Sequence, residues 1–355
     1  MKVKIRELAV VSAVAVFCFA AIAGPAGAAT KLDVPVMYSG FEKEAGMCYL
    51  GAFAMTVGAM DPAITWPMVV SYSGVGVSAE YMPENGGFLG TGLGFASMII
   101  AADTLGTGFN LGLGEGGMDS EPYFPPDMKF ANRARECTRF GSAEEALAFL
   151  KQTLDSGRAV AVHLDIKPVH GDFAAVSSFW KNVMPNDHID HFMAVTGYDD
   201  ENIYLNDPTD PTSAAGKLKA PVDHFMKAWK DTEKLRFAPL GPWWMIYPAD
   251  NPGPAPFEEV LAMITERGGD APEAMRSFAR KPSSGEEAVF LLREVAANRL
   301  AFASFLNEKG YTEAAKLYGE SGENLANAVQ KGKITGAALE RSADLEEKAI
   351  ELLRP

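Results

Sequence analysis

Beyond its first few dozen residues the chain has no apolar run near the about 20 residues that a membrane-spanning helix needs. Cysteine is scarce, three in 355 residues, which excludes a disulfide-stapled scaffold. Histidine is almost as scarce, at five. His170 and His188 lie in a loop with Asp172, Asp187 and Asp190, but no H-E-x-x-H and no cysteine-pair spacing accompanies them. No metal site is therefore expected. The acidic turn Asp199-Asp200-Glu201 lacks EF-hand spacing and reads as a solvated turn. Basic clusters are missing too. The formal net charge is -14, which argues against a nucleic-acid partner. The glycine-dense run Gly86 to Gly94 has neither G-x-G-x-x-G spacing within a βαβ unit nor a P-loop lysine. No nucleotide and no other cofactor is expected. Close backbone packing is the commoner reason for such glycines.

What is present begins with a leader. Lys2, Lys4 and Arg6 form a basic region, Leu8 to Ile22 is apolar, and Ala26-Gly27-Ala28 is a small-residue cleavage pattern. Residues 1–29 read as a signal peptide cleaved near Ala28 or Ala29. Cys18 follows Phe17 where a lipoprotein signal needs a small residue. The mature chain is expected to be soluble and exported, periplasmic or secreted, without stable membrane insertion. It would carry 29 basic against 45 acidic residues. Two cysteines remain, Cys48 and Cys137. In an oxidising compartment they form a disulfide or stay as thiols, and spacing alone does not choose.

The remaining pattern is α+β. Strands are expected in Trp66–Val77, Arg158–Asp165, His191–Tyr198, Ile203–Asp207 and Trp243–Tyr247, and helices from Cys48, over Phe95–Leu105, from Ser142 and over Val222–Trp229. Ser142 with Glu145 three residues on is a capping box. Gly106–Gly117 and Glu121–Met128 read as surface loops. Residues 251–256, rich in proline and glycine, read as a linker. After it strand signals vanish, and five helices are expected, with Leu291, Leu292, Val295, Leu300, Phe302, Phe305 and Leu306 as a core stripe.

Chemistry concentrates in Asp187–Pro208, which reads as a hairpin. A three-residue loop, pairing Tyr198 with Asn202, would set Asp207 opposite Met193 and on the side of His191. A four-residue loop would put Asn206 there instead. An imidazole beside a carboxylate is half of an acyl-transfer site and needs a nucleophile. Cys48 opens a helical pattern, where free N–H groups and the macrodipole favour a thiolate. The other histidines have plainer readings: His163 inside a strand and His224 inside a helix are packing residues.

The order Cys48, His191, Asp207, with the run HFMAVTGYDDENIYLNDP, resembles the papain-like cysteine peptidases. More narrowly it resembles the peptidases that cleave bacteriocin leader peptides and the N-terminal domain of the butirosin-biosynthesis protein H type. The likeness is strongest over Asp190–Pro208, moderate around Cys48, and weak in the helical part at NRLAFASFLNEKGYTEAAKLY. It implies Cys48 as nucleophile, His191 as base and Asp207 as orienter. It further implies a papain-like domain over residues 30–250; the helices read after the linker form a bundle over residues 257–355 that is a packing appendage, a lid or a site for a protein partner. The family's oxyanion-donating glutamine falls at Glu42, which when ionised accepts rather than donates. Glu42 and Asn206 are the candidate supports, and Tyr49 stands where glycine or tryptophan is usual. The expected activity is acyl transfer from a peptide, amide or thioester, most simply hydrolysis. Acyltransfer of the butirosin type, or a non-catalytic binding protein on the same scaffold, are the alternatives.

Overall fold

The computed structural model describes residues 29–37, 47–83, 88–91, 93–117, 133–166, 190–209, 218–232, 240–283, 285–331 and 334–354. The expected leader, Glu42, His170, His188 and the loop 121–128 lie outside them.

The fold is α+β, a sheet-based body followed by a helical bundle. Among the described residues an eight-stranded sheet runs in the order β5 (Cys137–Phe140), β4 (Phe109–Gly114), β10 (Met245–Pro248), β6 (Val160–Asp165), β7 (Asp190–Tyr198), β8 (Asn202–Asn206), β9 (Leu218–Pro221), with β1 (Thr30–Lys31) added to the far end of β7. Neighbours are antiparallel except β4 with β5. A small hairpin, β2 (Glu80–Met82) with β3 (Phe88–Gly90), stands apart.

The helix α1 (Cys48–Gly58) lies against one sheet face. Leu50 to Gly58 are all buried, because the helix is apolar on every side and enclosed on every side. The opposite face is covered by α4 (Ala143–Asp155) and α5 (Val222–Lys230), which bring Leu150, Leu154, Phe225 and Trp229 onto Val162, Met193 and Val195. Ser142 caps α4 as expected, its Oγ accepting from Glu145 N at 3.2 Å. The returning Glu145 carboxylate takes Gly141 N rather than Ser142 N.

Two expectations were wrong. Residues 66–73 form a helix, α2 (Trp66–Ser73), and not a strand. A short apolar run does not reveal its period. The deciding features are Pro67 in the first turn, where its missing N–H costs nothing, and Gly74 at φ +81 closing the end. The second error is Gly106–Gly117, which holds the buried strand β4 and not a loop. Phe109, Leu111 and Leu113 alternate there with Asn110, Gly112 and Gly114. Side chains would not fit at the glycines: a Cβ on Gly112 would meet Met245 and Phe140 at 2.9 Å.

The five helices expected after residue 256 are present: α6 (Phe257–Gly268), α7 (Ala271–Arg280), α8 (Glu286–Glu308), α9 (Thr312–Gln330) and α10 (Gly336–Leu353). They are not hung on a free tether. Gly253 N and Ala255 N bond to the carbonyls of Leu105 and Thr104, at the end of α3 (Ala96–Thr104). Phe257 and Ile264 of α6 and Phe302 and Phe305 of α8 share one apolar cluster with Phe53 and Val57 of α1 and with Phe192 of the sheet.

Candidate active site

Cys48 is the first residue of α1. Its predecessor Met47 offers no side-chain cap, and the first turn carries no acidic residue, so the positive end of the helix dipole lies at the thiol. Cys48 is a free, partly exposed thiol. Cys137 is exposed on β5 at the sheet edge, four strands away from β7, and forms no disulfide with Cys48, so the disulfide alternative is excluded.

His191 is the second residue of β7, paired with Leu164 of β6, and is 1% exposed. Asp207 follows directly after β8 and is as buried. His191 Nε2 and Asp207 Oδ1 are 2.9 Å apart. The same Oδ1 accepts from Thr209 N at 2.8 Å and Thr209 Oγ1 at 3.0 Å, an Asx-turn that holds the carboxylate in place. Cys48 acts on the His191 ring, helping to raise the imidazole pKa. With Nε2 on Asp207, Nδ1 is the nitrogen left for sulfur.

The hairpin register uses both alternatives. Near the turn Tyr198 pairs with Ile203 and Gly197 with Tyr204, as a four-residue loop requires. A bulge at Thr196 then shifts the pairing by one, so that Val195 meets Leu205 and Ala194 meets Asn206. One step further Asp207 falls opposite Met193, on the His191 side. The bulge coincides with β1 docking at Gly197, where a Cβ would lie 2.2 Å from the Thr30 carbonyl oxygen.

Electrostatics holds the imidazole charged. Burial by itself would lower the His191 pKa. The Asp207 charge and hydrogen bond, and then Cys48, outweigh it and push it up to about 10 from 6.5. A folded pKa above the unfolded one gives stability that is complete below about pH 6.5 and lost as pH rises towards 10. Denaturant titrations should therefore show wild type exceeding His191→Gln most at about pH 6, with the gap shrinking by about pH 10. A gap that widened with pH would contradict this assignment of charge.

Of the two candidate supports, Asn206 donates its Nδ2 to the Val34 carbonyl at 3.1 Å, tying the chain that leads towards Cys48 onto β8. Glu42 lies outside the described residues. Tyr49 packs against Phe95 with the rings tilted and their centroids 4.7 Å apart. Burial, then the Glu294 carboxylate and Cys48, raise its pKa well above 10. Sequence reasoning missed one feature beside the site. His163, fully buried, bonds through Nε2 to Asp190 Oδ1 at 2.5 Å and stacks on Phe192 at 4.8 Å. The diagonal relation of residues 163 and 190 across paired strands was the available signal. Among the described residues no group of three potential metal ligands occurs.

Residues 124–237 match the model of the Peptidase_C39 like family, a span that holds His191 and Asp207 but not Cys48. The chain has the papain-like cysteine peptidase fold. A crystal structure described as that of a C39-like peptidase from Bacillus anthracis is similar over 64% of this chain and 100% of its own, at 13% identity and a TM-score of 0.35, too remote to carry weight. No curated protein matches.

Proposed function

We propose that the chain is a cysteine-dependent hydrolase of peptide or amide bonds, acting outside the cytoplasm after removal of its leader. The observation that carries this reading is the chain Cys48–His191–Asp207: a partly exposed thiol at a helix N-terminus that acts on a buried imidazole, itself 2.9 Å from a buried carboxylate. An imidazolium next to a thiol favours its thiolate. Cys48 Sγ then attacks the substrate carbonyl, His191 gives its proton to the leaving amine, and the acyl-enzyme is hydrolysed by a water that His191 deprotonates. Asp207 fixes the ring through Nε2, leaving Nδ1 to exchange the proton. The backbone N–H of Cys48 is one oxyanion donor.

The test is iodoacetamide labelling of the non-reduced mature chain, followed by mass spectrometry across pH. Cys48 should label readily at about pH 6 and far faster than Cys137, and His191→Ala should remove that advantage. Equal labelling of the two thiols, unaffected by His191→Ala, would refute the catalytic reading.

A further inference from the structure

The residues on either side of Cys48 both face one helix of the bundle. Asn298 of α8 donates its Nδ2 to Met47 Sδ at 3.0 Å, and both residues are buried. One turn earlier on the same face of α8 is the buried Glu294, whose carboxylate acts on the Tyr49 hydroxyl. The axial setting of α8 is fixed in turn by Arg299. Its guanidinium donates to the carbonyls of Val75, Gly76, Val77 and Ser78, just beyond α2, and to Glu346 Oε1 of α10.

We propose that α8 positions the nucleophile: Asn298, acting through Met47, holds the first turn of α1 so that Cys48 stays in line with His191. The proposal rests on the functional reading above and makes the helical bundle part of the catalytic unit. The physical need is plain. Met47, the residue before α1, offers no side-chain cap, and first turns without one fray more readily. A sulfur is a weak acceptor, so the Asn298 bond adds little to overall stability. The other amide atom, Asn298 Oδ1, is buried without a partner among the described residues. An unsatisfied buried acceptor costs free energy, which removal of the amide would recover. A polar group that the fold does not need for stability, held against the residue before the nucleophile, is what a positioning role requires.

The experiment uses the full mature chain and compares wild type, Asn298→Leu, Met47→Leu and His191→Ala. The readouts are the pH profile of Cys48 labelling by iodoacetamide and the denaturation midpoint. Asn298→Leu should keep or raise the midpoint while labelling at about pH 6 falls about tenfold, in line with the cost of small misplacements at reacting groups. A purely structural asparagine would move the midpoint and leave the profile alone. Wild-type labelling in Asn298→Leu, with His191→Ala still slowed, would overturn the positioning role and spare the functional reading. Wild-type labelling in His191→Ala would overturn both. Where Asn298→Leu fails to fold, Met47→Leu removes the sulfur at nearly constant volume and is judged by the same outcomes.

Discussion

Cys48→Ala and His191→Ala should each lower turnover of a peptide substrate by about 10⁴-fold or more, whereas Asp207→Asn should cost only about tenfold. The ranking follows from the geometry. In the proposed reaction Cys48 forms and breaks the covalent bond and His191 is the base that acts with it, so neither is expected to have a substitute. Asp207 acts through a single oxygen: Oδ1 receives His191 Nε2, Thr209 N and Thr209 Oγ1. An asparagine keeps an oxygen at that place and the same three bonds, and Cys-His-Asn sites are catalytically competent. Asp207→Leu removes the acceptor and leaves a buried imidazole N–H unpaired, at about 1–3 kcal/mol. It should fall near His191→Ala in activity. The measurement is initial rates on a peptide pool read by mass spectrometry, with folding checked by near-ultraviolet circular dichroism. Full activity in a folded Cys48→Ala would end the assignment of Cys48 as the nucleophile.

The second large effect is on stability. Arg299→Met should lower the unfolding free energy by about 3–5 kcal/mol, the usual cost of stripping one partner from a buried ion pair. Arg299 and Glu346 are both fully buried. Arg299 Nε lies 2.8 Å from Glu346 Oε1, which also accepts from Ser321 Oγ at 2.8 Å. Four carbonyls after α2 depend on the same guanidinium. The double variant Arg299→Met with Glu346→Leu removes the stranded carboxylate and should recover part of the loss. Recovery should be incomplete, because the carbonyls of residues 75–78 remain unserved. Because α2, α6 and α8 share a core with α1, unfolding in denaturant should be one transition for bundle and sheet together. A double variant no better than the single one would show that the carbonyl cage, and not the ion pair, is what matters.

Much of this was readable along the chain. The helices after Pro256 were legible because their 3.6-residue stripes are long, and α4 because Ser142 and Glu145 announce its start. Cys48, His191 and Asp207 stood out by residue type and order. Two elements were not legible for opposite reasons. In Trp66–Ser73 every residue is apolar or small enough to fit either period, so propensity had nothing to decide. In β4 the alternation was visible, but glycines that exist to admit Met245 and Phe140 looked like loop residues. His163 looked like an ordinary strand residue, since its partner Asp190 is 27 positions away.

By itself, then, the sequence determined which residues were candidates for the chemistry, most of the helices and strands, and that a helical part follows a sheet-based one. These are set by local periodicity, caps and turns, which act over a few residues. Only the tertiary structure decided that the Thr196 bulge carries Asp207 to the His191 side. It alone set α8 against the residues flanking Cys48. Those outcomes depend on which surfaces pack together across hundreds of residues, where a shift of one position reverses every side chain on a strand.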